Sequence, residues 1–315
     1  MADASNKIVS AITVSCGMGG YLKACLASLK GQTYPVAEII LIDNSCQPQL
    51  RQEILNDHPF VKLCPGARGL SYCDSLNKGI GLSRGDFILC LNDDVILDGH
   101  FIKEALNGFL AGPKVGMVSG KILRYDRKTI DSAGLFLSLC RTAKERGYGL
   151  IDRGQFKKNE YVFGVSGAVA FYRREMLEAV KEGTGYFDPD FHFFYEDLDI
   201  AWRAQNKGWK CYFVPSAIAY HRRGGSARPG GINKPYARRY LSDQLHGDLI
   251  KNRYLTVIKN ESRRDFLLHL PFLLLYDLAA WCYVLFFRPG QIPIFISNLK
   301  YLKPALRKRN PEKIK

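Results

Sequence analysis

Residues 86–94, DFILCLNDD, pass from an apolar β-type run straight into three polar side chains, Asn92, Asp93 and Asp94. A short run with no polar interruption suits a strand covered on both faces, as in a parallel sheet. The stretch 38–45, EIILIDNS, repeats the pattern and ends in Asp43-Asn44-Ser45, and 8–15 is a third such run ending at Ser15. Leu22, Cys25, Leu26 and Leu29 between them fall at helical spacing. Residues 49–56 read as a crossover helix, 61–63 as another short strand, and 70–82 as a helix with Cys73, Leu76, Asn77 and Ile80 on one face. Strands alternating with helices predict an α/β fold, a parallel sheet with helices on both faces. Ligands of such sheets lie beyond the carboxyl ends of the strands, so Ser15, Asp43 and the cluster 92–94 are expected to converge on one edge.

Past Asp94 the pattern changes. A helix near 101–109, a strand near 115–119 and shorter β-like pieces through Tyr172 predict a mixed or antiparallel half. Helices follow at 174–180 and 196–206, then strands at 209–214 and 218–220 and a Gly-rich loop at 224–231. Residues 265–287 are apolar over a transmembrane length but interrupted by His269, Pro271 and Asp277, which predicts an interfacial or re-entrant segment. Burial against the preceding α/β part of the chain or a second subunit would also use such a face. Lys300, Lys303, Arg307, Lys308 and Arg309 alternate with apolar residues, as in helices lying on anionic lipid.

The 315 residues, 47% of them hydrophobic, can fill a sizeable core. A net charge of +15 implies an anionic partner: nucleic acid, a lipid surface or a phosphorylated substrate. Nine scattered cysteines without a C-x-x-C pair fit neither a disulfide framework nor a zinc cage, so a reducing, cytosolic compartment is expected. The first fifteen residues lack the charged start and apolar run of a signal peptide.

Asp43 alone could merely initiate a turn. Adjacent Asp93 and Asp94 after an apolar strand are different, because they repel unless a cation or donor lies between them. Oxygen ligands favour Mg²⁺ or Mn²⁺, ions commonly shared with substrate phosphates, so this edge suggests a bound diphosphate. A second acidic cluster, FFYEDLD at 193–199, opens the helix at 196–206. Its carboxylates suit a first helical turn, yet aromatic neighbours could desolvate one of them into a general base. His221 precedes Arg222 and Arg223 at the start of a basic loop able to close over phosphates. A nucleotidyltransferase would need a basic triphosphate loop near the first strand, where only Lys23 is at hand. A nucleic-acid-binding protein would leave the acidic strand ends unexplained.

Taken in order, EIILIDNS (38–45), LNKGIGLSRGDFILCLNDDV (76–95), SGAVAFYRREML (166–177), FDPDFHFFYEDLDIAWRAQNKGW (187–209) and YHRRGGS (220–226) resemble the family 2 glycosyltransferases of GT-A fold. The likeness is strongest to the rhamnosyltransferase-like branch of bacterial surface polysaccharide synthesis. It implies a GT-A (Rossmann-like) mixed sheet flanked by helices over 1–235 and a helical, membrane-associating region over 236–315. It also implies an inverting, metal-dependent transfer. Asp197 matches the catalytic base and Glu196 its acidic neighbour. Ser15, Asp43, Arg68, Asp93, Arg222 and Arg223 would meet the nucleotide-sugar donor. Asp94, with Asn92 and His221, would hold Mg²⁺ or Mn²⁺, and Ser166, Gly167 and Tyr195 would face the acceptor. Two departures bear on the donor: Ser15-Cys16-Gly17-Met18 replaces the family's T-Y-N-R, and Ala67-Arg68-Gly69 stands where relatives carry N-x-G. The implied donor is dTDP-rhamnose, with a UDP-hexose as the alternative. The implied acceptor is a polyprenyl-diphosphate-linked glycan at the inner, anionic face of the cell membrane, where a homodimer could form through the C-terminal helices. Nucleic acid is not among the implied partners.

Overall fold

The computed structural model describes residues 7–17, 19–66, 70–183, 185–223 and 241–309. Strands β1 (Val9–Ser15), β2 (Glu38–Asp43), β3 (Val61–Pro65) and β4 (Phe87–Asn92) pair in parallel in the order β3-β2-β1-β4. Their crossovers are α1 (Gly19–Lys30), α2 (Pro48–Asp57) and α3 (Tyr72–Leu82). Successive side chains of a strand point to opposite faces, and β1 shows the consequence. Val9 and Ala11 join Leu22, Cys25, Leu26, Leu29, Leu50 and Ile54 in one core. Ile12 and Val14 join Cys73, Leu76 and Ile80 in the other. The expected helices on both faces are therefore present. Helix α3 lies so close to the sheet that a Cβ on Gly79 would fall 2.4 Å from Ile12 Cγ2.

The second half is mixed. After β5 (Val95–Leu97) and α4 (Phe101–Gly108) come β6 (Val115–Arg124), β7 (Ile130–Ser132), the hairpin of β8 (Leu135–Leu137) and β9 (Ala143–Glu145), and then β10 (Glu160–Val162) and β11 (Val169–Arg173). Helices α5 (Arg174–Val180) and α6 (Glu196–Asn206) precede β12 (Lys210–His221). Beyond β4 the sheet continues β11-β6-β12-β10, with β11 antiparallel to both of its neighbours. The sequence read two strands at 209–214 and 218–220. They are one strand whose register against β6 shifts between Val214 and Ile218, where Pro215 cannot donate to the ladder.

The C-terminal part is helical: α7 (Asp243–Asn260), α8 (Arg263–Phe287), α9 (Ile292–Asn298) and α10 (Leu302–Lys308). Helix α8 is one continuous helix through Pro271, long and apolar enough by length and composition to cross a membrane. The polar residues that suggested a break bind protein instead. Asp277 pairs with Arg253 of α7, and His269 Nδ1 lies 3.0 Å from Arg141 Nη2.

Helix α7 is built into the catalytic half. Lys259 Nζ, almost fully buried, reaches Asp188 Oδ2 at 2.7 Å, Asp199 Oδ2 at 3.1 Å and Glu182 Oε2 at 3.1 Å. Arg203 Nε donates to Asp199 Oδ2 at 2.9 Å, Asn260 Nδ2 donates to Asp199 Oδ1 at 2.8 Å, and Lys308 Nζ of α10 reaches Asp188 Oδ1 at 2.6 Å. Removing one member of such a network strands a buried charge. Lys259→Met should therefore cost about 3–5 kcal/mol in urea denaturation of the full chain. A loss under about 1 kcal/mol would mean that water or Lys308 takes over neutralisation.

Candidate active site

The parallel register sets Ser15 opposite Asp43 and Val14 opposite Asn92, so the polar ends of β1, β2 and β4 share one edge. Burial works to raise the Asp43 carboxyl, but Arg51 and both the hydroxyl and amide of Ser45 hold it below the ordinary carboxylate range. Asp93 lies across this edge. Burial, followed by the charge of Asp94, pushes it up to about 6, against a hydrogen bond from Ser15. Its Oδ2 is buried without a hydrogen-bond partner.

Pairing of β5 with β12 places His221 opposite Val95 and therefore beside Asp94. His221 Nε2 lies 3.2 Å from Asp94 Oδ1, and Nδ1 of the same ring lies 2.8 Å from Asp131 Oδ2. Burial works to lower the imidazole pKa, but the two carboxylates overcome it and carry it up to about 9. Asp131 also binds Arg223, and these cations hold it far below the ordinary carboxylate range despite burial.

Among the described residues no three His, Cys, Asp or Glu side chains form a complete metal cage. The residues present nevertheless fit a hard divalent ion that takes its remaining ligands from a diphosphate. A carboxylate and an imidazole face each other, a second carboxylate orients the imidazole from behind, and Asp93 has an unpartnered oxygen next in the chain.

Glu196 and Asp197 open α6, where the helix dipole favours negative charge. The turn before them is strained: His192, Phe194 and Tyr195 have φ of +61°, +71° and +68°. Asn252 of α7 braces it, its Nδ2 lying 2.7–2.8 Å from the carbonyls of Phe191, Phe193 and Phe194. Asp197 is half-buried and accepts the Gly167 amide at 2.9 Å and the Leu198 amide at 2.7 Å. Burial raises its pKa and those amides oppose the rise. Burial, then the neighbouring Asp197 charge, pushes Glu196 up to about 8, and its Oε2 is buried without a partner.

The two acidic groups meet through β4 and β11. The Asn92 amide donates to Ala168 O at 3.1 Å, and Ala168 follows the Gly167 that binds Asp197. Tyr72 closes the gap, donating to Asn92 Oδ1 at 3.0 Å and lining a small cavity with Gly167, Glu196 and Asp197.

A family model for glycosyl transferase family 2 matches residues 10–181, which hold the parallel strands, the Asn92-Asp93-Asp94 turn and Gly167. The chain belongs to that family. The N-acetylglucosaminyl-diphospho-decaprenol L-rhamnosyltransferase of Mycobacterium tuberculosis is 25% identical over 241 residues, 70% of this chain and 77% of that protein. The poly-β-1,6-N-acetyl-D-glucosamine synthase of Staphylococcus aureus is 26% identical over 201 residues, 62% of this chain and 45% of that protein. Solved structures with a similar fold include S. aureus TarS 1–349 in complex with UDP-GlcNAc, with a TM-score of 0.60, 14% identity and coverage of 95% of this chain and 81% of that one. GalNAc-T7 with UDP, GalNAc and Mn²⁺ gives a TM-score of 0.59 at 17% identity, covering 80% of this chain and 48% of that one. At those identities the likeness speaks for the GT-A architecture alone.

Not every residue singled out from the sequence of this glycosyltransferase is placed alike. Asn92 offers its carbonyl to Tyr72, and Arg223 turns its guanidinium to Asp131. Arg222 donates its amide to Asp94 O at 3.1 Å and stacks its guanidinium 4.3 Å over Tyr21. Ser166 donates to Glu145 Oε1 at 2.8 Å, and Tyr195 caps α6. Arg68 and the Gly-rich loop 224–231 lie outside the described residues. Asp131, Glu145 and Tyr72 were not legible as site residues. Burial, then Asp197, pushes Glu145 up to about 7. It and Asp131 fall in short strands without a motif, and only the sheet pairing brings them in.

The fold binds the His221 proton more tightly than the unfolded chain does, with a pKa of about 9 against 6.5. Its stabilising contribution is thus complete below pH 6.5 and lost as pH rises through about 9. In metal-free protein the melting temperature should fall more across that window for wild type than for His221→Gln. Equal slopes would show that no charged imidazole sits between Asp94 and Asp131.

Proposed function

We propose that this glycosyltransferase inverts the anomeric centre of a nucleotide sugar, moving L-rhamnose from dTDP-rhamnose to a hydroxyl of N-acetylglucosamine carried on a polyprenyl diphosphate. The observation that carries the reading is the junction of β4 and β11, where Asp197 accepts the amide of Gly167 and the next residue, Ala168, accepts the amide of Asn92. A base on the acceptor side thereby stands against the Asp93-Asp94 edge, where a donor diphosphate would lie. The mycobacterial relative named for L-rhamnosyl transfer to such a lipid supports the substrate pair. A UDP-sugar is the second reading, favoured by the fold shared with a UDP-GlcNAc complex.

Asp43 would hold the nucleoside, its carboxylate kept ionised by Arg51. Asp94 and His221, with Asp93 beside them, would hold a Mg²⁺ or Mn²⁺ ion. When bound, that ion supplies positive charge against the diphosphate oxygens. Two amides favour the ionised form of Asp197 and so leave it free to take a proton, while burial and the Asp197 charge favour the protonated form of Glu196. Asp197 takes the proton of the acceptor hydroxyl as that oxygen bonds to the anomeric carbon and the bond to the diphosphate breaks. A single displacement, with attack on the face opposite the departing diphosphate, inverts the configuration. On this reading the enzyme would work in the cytoplasm at the inner face of the membrane, with the exposed apolar side of α8 and the basic tail against it.

The test is transfer of labelled sugar from dTDP-rhamnose, and separately from UDP-N-acetylglucosamine, to N-acetylglucosaminyl-diphospho-polyprenol, with the product linkage read by NMR. Asp197→Asn should lower kcat about 10²–10⁴-fold with donor binding retained, while Glu196→Gln at pH 7 stays within about tenfold of wild type. A folded, active Asp197→Asn enzyme would remove Asp197 from the role. Turnover of the UDP-sugar alone would select the second reading.

A further inference from the structure

Helices α7 and α8 do not pack flush. Between them runs a groove of about 450 Å³, lined by Tyr195, Leu249, Tyr254, Tyr276, Ala280 and Tyr283. That size falls within the range of small-molecule sites. Three properties of its walls define what it can hold.

The polar tips around the groove are largely engaged with one another. Arg253 pairs with Asp277 and donates to Cys140 O at 3.0 Å. Trp281 Nε1 donates to the Tyr254 hydroxyl at 3.1 Å, and His246 Nδ1 lies 2.7 Å from Gln291 Oε1. What remains facing the space is ring faces and aliphatic carbon, which receive hydrocarbon better than sugar or phosphate.

One wall is Tyr195, the residue immediately before Glu196 and Asp197. The groove therefore reaches the residue at the N-cap of α6, one position before Glu196 and two before Asp197. The other wall is α8, whose outward residues Leu275 and Leu278 are 69% and 64% exposed. The groove is thus continuous with an apolar helix face of membrane-crossing length. Contiguous exposed apolar surface of this kind marks a lipid or protein contact.

We propose that the groove binds the first isoprenoid units of the acceptor's polyprenyl chain. This rests on the reading that the acceptor is lipid-linked. The order along such an acceptor is sugar, diphosphate, then hydrocarbon. The order along the protein is Asp197, Tyr195, the groove, then the apolar face of α8. The two run in the same direction, so a chain emerging from the bilayer along α8 delivers its sugar to the base.

The experiment uses the full-length protein in detergent and a polyprenyl diphosphate bearing a benzophenone near the diphosphate, with crosslinked peptides mapped by mass spectrometry. This labelling needs no turnover. Labels should fall on 246–254 and 276–283 and disappear in Ala280→Trp and in Ala279→Trp, each of which fills the groove from α8. A nucleoside-diphosphate-induced thermal shift checks that each variant is folded. In the transfer assay, wild type should prefer a long-chain over a short-alkyl acceptor by at least about tenfold in kcat/KM, and the tryptophan variants should bring that ratio close to one. Labels confined to the outward face of α8, or labels and chain-length preference unchanged in both variants, overturn the proposal. So does a wild-type dimer that becomes a monomer in Ala280→Trp without any groove labelling, which would make the groove a subunit interface. Groove labelling with no transfer to either acceptor would instead sink the lipid-linked-acceptor reading and leave the groove a prenyl site.

Discussion

One ammonium group ties the two parts of this chain together. Lys259 Nζ lies where water cannot solvate it, and three carboxylates from the segment around α6 neutralise it. The lysine without these carboxylates would be an uncompensated charge in low dielectric, and without the lysine Asp188 and Asp199 would be left with the cations Lys308 and Arg203. Helix α7 is therefore held against α6 by a requirement stronger than apolar contact. Once α7 is placed there, Asn252 falls under the turn at 191–194 and the groove against α8 takes its shape.

The site repeats one electrostatic arrangement on its two sides. On each, two carboxylates adjacent in the chain include one with defined partners and one with an orphaned oxygen. Asp94 faces His221 while Asp93 keeps a buried, unpartnered Oδ2. Asp197 accepts two amides while Glu196 keeps a buried, unpartnered Oε2. Such groups are costly in a folded protein and are retained where a substrate or ion completes them. The pairing of β4 with β11 links the segments that carry the two pairs, through the Asn92 amide on Ala168 and the Gly167 amide on Asp197.

The parallel half was legible because its physics is local. Apolar runs with polar ends, spaced by helical periodicity, give both the strands and the edge on which Ser15, Asp43 and Asp93 meet. The helix beginning at Glu196 was equally readable from its acidic first turn. Asp131 could not be found this way, since its meaning comes from the pairing of β6 with β12, which brings up His221 from 90 residues along the chain. Nor could the partners of the polar residues in α8 be read. His269 and Asp277 looked like breaks in an apolar span because their partners, Arg141 and Arg253, lie well outside any local window. The role of Tyr72 was hidden for the same reason, as its hydroxyl acts across the sheet edge on Asn92.

The brace under the strained turn also has a meaning in time. Asn252 and Lys259 leave the ribosome well after Asp197, so the parallel sheet with its nucleotide edge can form while the turn bearing the acids still lacks its support. A nascent chain at that stage has its parallel sheet edge but no support under the turn before α6, and that support is complete only as the apolar helix α8 begins to emerge.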